Sequence, residues 1–310
     1  MRFWGGVLLS VAGGLRSSRF FIFWVFLELN ILCFIGLLSF SRWGADSLSS
    51  LKYFIVQRLG SIIFLFTSIG MGWFRERVAA GLLITAGAVK LGAAPLQGWL
   101  ISVSWDVAWD AFFFLITIQK VLPLYFIFQM GGLGVTALTV AAALIGPAGA
   151  LFQGALKSLL VYSSVFGVGW ILRPNSRVLG FSYLFIYAVG LIVVVWCLRR
   201  AFRGAERTSG RNLTGINLFL LFVALISLSG IPPLLGFYAK LPIILELTIG
   251  RRGVLAILLF GSGVFLYVYI RVCIRGLSLR AQRVELGQLT RRGPMLVIVA
   301  LMGAPFLLGA

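Results

Sequence analysis

The sequence predicts an all-α integral membrane protein, and three observations carry that prediction. Apolar residues make up 60% of the 310-residue chain, and its mean hydropathy is +1.05. Only 27 basic and 8 acidic residues are present, where a soluble chain of this length would carry roughly 78 charges. Apolar stretches of about 20 residues, long enough to cross a bilayer, recur along the whole chain.

About eleven spans are expected, at 3–15, 20–40, 51–72, 78–102, 110–129, 132–152, 155–172, 178–198, 213–248, 253–274 and 293–309, forming one domain over 1–310. The start, Met1 to Leu15, reads as the first span and shows no cleavage site. Two spans are interrupted. The fourth contains Lys90-Leu-Gly-Ala-Ala-Pro95, and the ninth contains Ser229-Gly-Ile-Pro-Pro233. A proline removes a backbone donor and collides with the preceding turn, so both spans are expected to be discontinuous. They fall at matching places in two five-helix halves. Paired broken segments of this kind point to an internal repeat with a transport site near mid-membrane.

The formal net charge of +19 belongs to topology, not to nucleic-acid binding, because the basic residues occupy short gaps between spans. Arg42, Lys52, Lys157, the Arg199–Arg211 cluster and the Arg275–Arg292 segment fall on one side. Arg16, Arg19, Arg75, Arg77, Arg173, Arg177, Arg251 and Arg252 fall on the other. The first side is richer, so the positive-inside rule places it, with the N-terminus, on the inner face.

Much chemistry is excluded by composition. There is no histidine, which removes imidazole metal sites and Ser-His-Asp triads. Cys33, Cys197 and Cys273 are far apart in apolar runs and suggest neither an iron–sulfur cluster nor a disulfide framework. No glycine-rich phosphate-binding motif follows a strand pattern.

Lysine usage is the most informative feature. Only five of the 27 basic residues are lysine: Lys52, Lys90, Lys120, Lys157 and Lys240. Lys52 and Lys157 sit at span starts, where snorkelling to the interface accounts for them. Lys90, Lys120 and Lys240 fall inside spans, where three buried charges together cost about 8–10 kcal/mol on insertion scales. A buried lysine can surrender its proton, whereas a guanidinium stays charged. Glu28 lies within the second span among aromatics, and Lys90 is its expected partner, with a static ion pair between two helices as the bland alternative. Lys240 is expected at the start of a half-helix, near the positive end of its dipole. Asp106 and Asp110 read as loop residues at an aqueous mouth. Glu246 reads as a neighbour of Lys240 or the lining of an exit.

Leu51-Lys-Tyr-Phe-Ile-Val-Gln57, Lys90-Leu-Gly-Ala-Ala-Pro95 with Trp99, Gln119-Lys-Val-Leu-Pro-Leu124, Leu159-Leu-Val-Tyr-Ser-Ser164 with Gly169-Trp170, and Leu228-Ser-Gly-Ile-Pro-Pro-Leu-Leu-Gly-Phe237 with Lys240 occur in one order along the chain. Together with Phe26-Leu-Glu28-Leu-Asn30, they resemble the antiporter-like subunit 2 family of respiratory complex I, in its shortened animal mitochondrial form. The resemblance implies a proton-translocating subunit of NADH:ubiquinone oxidoreductase in the mitochondrial inner membrane, with the N-terminus on the matrix side. It implies that Glu28 and Lys90 form a gate, Lys120 is a central relay, and Lys240 is the lysine of the second broken helix. NADH, flavin, iron–sulfur clusters and ubiquinone are then expected on partner subunits, with no cofactor or metal on this chain. The expected partners are other membrane-arm subunits, including neighbouring antiporter-like ones, and lipids. Two positions depart from the family pattern: Gln97 and Gly167 stand where histidine is common. A free-standing cation/proton antiporter component is the alternative function. A membrane scaffold whose lysines only fix helix packing is a third.

Overall fold

The computed structural model describes residues 2–40, 47–70, 75–174, 176–203, 215–232, 234–250 and 252–281. The expected last span at 293–309, Pro233, Arg42 and the loop positions 204–211 and 282–292 lie outside the described residues. Those described are helical, with short turns between helices and no strand among them.

The chain divides into two compact units, Met1–Arg177 and Val178–Ala310. The first holds α1 (Arg2–Arg16), α2 (Phe20–Phe40), α3 (Ser47–Ile69), α4 (Glu76–Leu91), α5 (Gly98–Asp106), α6 (Trp109–Ile116), a single 3-10 turn (Ile118–Lys120), α7 (Val121–Met130), α8 (Gly132–Leu151) and α9 (Leu156–Ile171). Here α3 packs against α2, α4 and α5; α4 also packs on α7 and α8, and α9 pairs with α8 and α5. The second unit holds α10 (Arg177–Arg203), α11 (Gly215–Ser229), α12 (Leu235–Gly250) and α13 (Arg252–Ala281). Its α11, α12 and α13 pack on one another.

Six helical runs among the described residues are long and apolar enough to cross a bilayer: Phe20–Ser39, Leu48–Ile69, Trp109–Met130, Gly134–Leu151, Arg177–Arg199 and Arg252–Ile274. The helices flanking the proline motifs are shorter. At 16 residues, α4 is about 24 Å long, short of the roughly 30 Å hydrocarbon core.

Many large apolar side chains face outward, including Phe21, Ile69, Phe152 and Phe260, each at least 65% exposed. In water such a surface would aggregate; in a bilayer it is the solvated face. Inside the first unit, Phe23, Phe64 and Phe126 close a triangle with centroid separations of 4.7–5.9 Å, tying α2, α3 and α7 together. Several hydroxyls return to their own helix, as in Ser10 to the carbonyl of Val7 and Thr139 to that of Val135, which meets their donors within an apolar surround.

The end of α4 follows from its sequence. Gly92 takes φ 60°, which an L side chain resists, and the turn closes as a Schellman motif: Ala93 N–H donates to Ala88 and Gly92 N–H to Val89. Pro95 then prevents resumption, and α5 begins at Gly98. The second motif is similar in effect. α11 ends at Ser229, Gly230 takes φ 87°, and α12 begins at Leu235.

Gly236 lies so close to the Ser227 carbonyl that a methyl group there would overlap it. Gly236→Ala is therefore expected to force α12 off α11, costing about 1–3 kcal/mol. Gly250→Ala, with open space around it, is expected to be neutral. Thermal unfolding of the detergent-solubilised protein checks both.

Candidate functional site

Lys90 is the penultimate residue of α4, yet its side chain is only 6% exposed. Its ammonium donates to Ser61 Oγ at 2.7 Å and to the Gln57 carbonyl at 3.3 Å, both on α3. Room for its stem comes from Gly60, where a Cβ would sit 2.9 Å from Lys90 Cγ. Gln57 closes the clasp by donating its amide to the Lys90 carbonyl at 3.1 Å. Trp99 Nε1 donates to the Val89 carbonyl at 3.0 Å. The carbonyls freed by the end of α4 are thus met inside the protein, as an apolar medium requires.

The expected Glu28–Lys90 pair is not what the geometry shows. Glu28 Oε2 instead lies 2.6 Å from Nη1 of Arg58, one turn of α3 from Phe54, whose ring the guanidinium covers at 5.1 Å. Successive residues of a helix point about 100° apart. Gln57 therefore turns toward α4 while Arg58 turns toward α2. The ion pair is close but poorly aligned, and Glu28 Oε1 has no hydrogen-bond donor among the described residues. Arg58 lies inside the expected 51–72 span, so a charge within an apolar run is the signal that could have found it.

Lys120 is 3% exposed and ends the 3-10 turn between α6 and α7, inside a run that hydropathy reads as continuous. Pro123 explains the interruption, because it lacks the N–H that would bond the Gln119 carbonyl and its ring crowds that oxygen. The ammonium crosses to α9, donating to the carbonyl and hydroxyl of Ser164 at 2.9 and 3.0 Å. The adjacent Gln119 accepts from the Tyr53 hydroxyl at 3.2 Å and donates to Asn30 Oδ1 at 3.0 Å, linking α3, the turn and α2 through polar groups.

In the second unit Lys240 is 3% exposed, and its ammonium donates to the Ser229 carbonyl, the last of α11. It was expected beside the positive end of its own half-helix. Lys240 is the sixth residue of α12, and its side chain leans back toward the N-terminus of that helix, as helical side chains do, and meets the carbonyl end of the preceding one. Gly230 makes this possible: a Cβ there would lie 2.8 Å from Lys240 Nζ.

The remaining candidates divide. Lys157 does not snorkel freely; it donates to the carbonyls of Trp105 and Val107 at 2.9 and 2.8 Å and lies over the Trp109 ring, closing the end of α5. Asp106 is exposed, whereas Asp110 and Glu246 are half-buried. Gln97 places Oε1 where no donor meets it, and Gly167 is buried in α9. No cluster of three metal-ligating side chains occurs among the described residues.

Apolar helices enclosing lysines at their breaks define a polytopic membrane protein with ionisable groups at membrane depth, the class in which ion and proton pathways are found. The chain belongs to the family described as NADH:quinone oxidoreductase/Mrp antiporter, whose transmembrane pattern matches residues 17–266. It is 27% identical over 288 residues to NADH-ubiquinone oxidoreductase chain 2 of Lumbricus terrestris, covering 88% of this chain and 85% of that one. It is 28% identical over 287 residues to the chain 2 of Metachirus nudicaudatus, covering 86% and 82%. In fold it resembles a chain of respiratory complex I from Thermus thermophilus, with a TM-score of 0.73 at 22% identity, covering 98% of this chain and 75% of the other. It also resembles a chain of the Mrp complex from Dietzia sp., with a TM-score of 0.71 at 23% identity, covering 92% and 60%.

Lys157→Met would leave the carbonyls of Trp105 and Val107 without their donor. A loss of about 1–3 kcal/mol is expected, read as a lower unfolding temperature of the solubilised protein. Lys157→Arg is expected to lose less.

Proposed function

We propose that the chain is a proton-translocating membrane-arm subunit of respiratory complex I, embedded in the mitochondrial inner membrane with its N-terminus on the matrix side. In this reading residues 1–310 form one antiporter-like domain of about eleven spans, two of them discontinuous and related by an inverted repeat. Glu28 and Lys90 form the gate, Lys120 relays, and Lys240 exchanges protons with a neighbouring antiporter-like subunit. NADH oxidation and quinone reduction take place on partner chains, and this chain carries no redox cofactor.

One observation carries the reading. Lys90 and Lys120 are buried, and each is held by two neutral oxygens, a serine hydroxyl and a backbone carbonyl. An ammonium facing a carboxylate is held in its charged form. An ammonium facing two neutral acceptors has three N–H groups, and a neutral amine still has two. Both hydrogen bonds therefore survive loss of the proton, so the site accommodates either state without rearranging. A guanidinium could not act in this way. The relatives named chain 2 of NADH-ubiquinone oxidoreductase favour complex I over a free-standing antiporter.

The decisive experiment uses the assembled complex in sealed membranes and measures NADH oxidation together with proton uptake. Lys120→Arg preserves the charge but not the ability to release a proton. It is expected to slow pumping about tenfold or more, equal to about 1.4 kcal/mol on the barrier. Ser164→Ala removes one of two acceptors and should cost less, about 1 kcal/mol. Full coupling in the arginine variant would instead identify a packing role. Cation exchange by the chain alone, without NADH-oxidising partners, would favour the antiporter reading.

A further inference from the structure

Arg58 is the unexpected member of the charge set. Its guanidinium, not the Lys90 ammonium, contacts Glu28, and Lys90 is bonded to Ser61 of the same helix that carries Arg58. Lys90 nevertheless lies within electrostatic range of both Glu28 and Arg58. The pair is also incompletely satisfied: Glu28 Oε1 has no donor, and Arg58 Nε has no acceptor, among the described residues. A structural ion pair at this depth would use those positions, because unmet buried polar atoms cost stability. A carboxylate offers about four acceptor positions, so Glu28 has acceptor capacity beyond its contact with Arg58.

The two cations differ in freedom. The Glu28 side chain is 10% exposed, while that of Arg58 is 35% exposed and stacks on Phe54 near the surface of α3. Arg58 has a long side chain and an outward route; Glu28 has neither. Lys90 is meanwhile pinned by Ser61 and Gln57.

We infer that Arg58 is a positioning residue that competes with Lys90 for Glu28, so that the structure represents one of two pairings of the same carboxylate. In the pairing seen, Glu28 and Arg58 neutralise each other and Lys90 is left with neutral acceptors. In the other, Arg58 swings outward and Glu28 turns to Lys90. The proton on Lys90 then gains a counter-charge that it lacks in the first. Alternation between these pairings changes how strongly Lys90 holds its proton without moving a helix. This inference rests on the proposed role of Lys90 in proton translocation and adds the element that regulates it.

The test uses the assembled complex in sealed membranes and compares Arg58→Leu, Arg58→Lys, Glu28→Gln and the double variant Glu28→Gln/Arg58→Leu, with Lys90→Met alongside. Arg58→Leu is expected to lower protons moved per NADH oxidised while NADH oxidation continues. Arg58→Lys, which can still offer a cation to Glu28, is expected to restore much of the ratio. If Arg58 acts through Glu28, the double variant departs from the product of the single effects by about threefold or more, as contacting residues do. Independent, multiplying effects would overturn the inference, as would an unchanged ratio in Arg58→Leu. Failure of every Arg58 variant to assemble would also overturn it, leaving a purely structural pair. A normal ratio in Lys90→Met would instead remove the pumping role itself. Loss of pumping in Lys90→Met with a silent Arg58→Leu would refute only the competition.

Discussion

A helix broken inside an apolar medium exposes carbonyls that no water can reach, and the rest of this structure depends on how those carbonyls are met. Lysine ammonium groups meet several of them. Lys240 serves the last carbonyl of α11, and Lys157 serves those of Trp105 and Val107 at the end of α5, whereas Lys120 and Lys90 reach the carbonyls of Ser164 and Gln57 within α9 and α3. The same contacts that make the breaks tolerable place cations at membrane depth. Stability and candidate chemistry are therefore not separable here, because one set of hydrogen bonds serves both.

The two kinds of cation are used differently. The buried lysines rest on neutral oxygens, whereas Arg58 takes the carboxylate. A guanidinium remains charged, so it belongs beside a permanent anion and within reach of a polar surface, and 35% exposure gives Arg58 that reach. An ammonium can drop to a neutral amine without surrendering its acceptors, so it can occupy a site only 3–6% exposed. The α3 helix keeps the two arrangements apart by presenting Gln57 and Ser61 on one side and Arg58 on another. Its glycine at 60 admits the Lys90 stem, so backbone proximity and charge separation come from neighbouring residues of one helix.

Likeness in fold at 22–23% identity shows how much exchange such a framework tolerates. Lipid-facing positions accept many apolar residues, since hydrocarbon imposes little shape on them. The breaks are less forgiving. Gly92 and Gly230 must adopt a left-handed backbone, and Gly236 must let α12 touch the Ser227 carbonyl. Gln97 has an amide oxygen with no donor among the described residues, and Gly167 is buried in α9.

The sequence by itself determined the helical membrane class and which lysines are buried. Those features are local: they follow from hydropathy over about 20 residues and from charge inside an apolar run. The interruption at Lys120 was half legible, for Pro123 marks it, but the flanking apolar run hides it. Only the tertiary structure decided the partners. Glu28 meets Arg58 of α3 while Lys90 meets Ser61 and Gln57 of the same helix, and neither residue's neighbours in sequence report which side chain will face it. Lys240 meets the last carbonyl of α11 because its side chain leans back across a gap whose geometry Gly230 sets. Hydropathy places a charge in the membrane; packing selects the oxygen it faces.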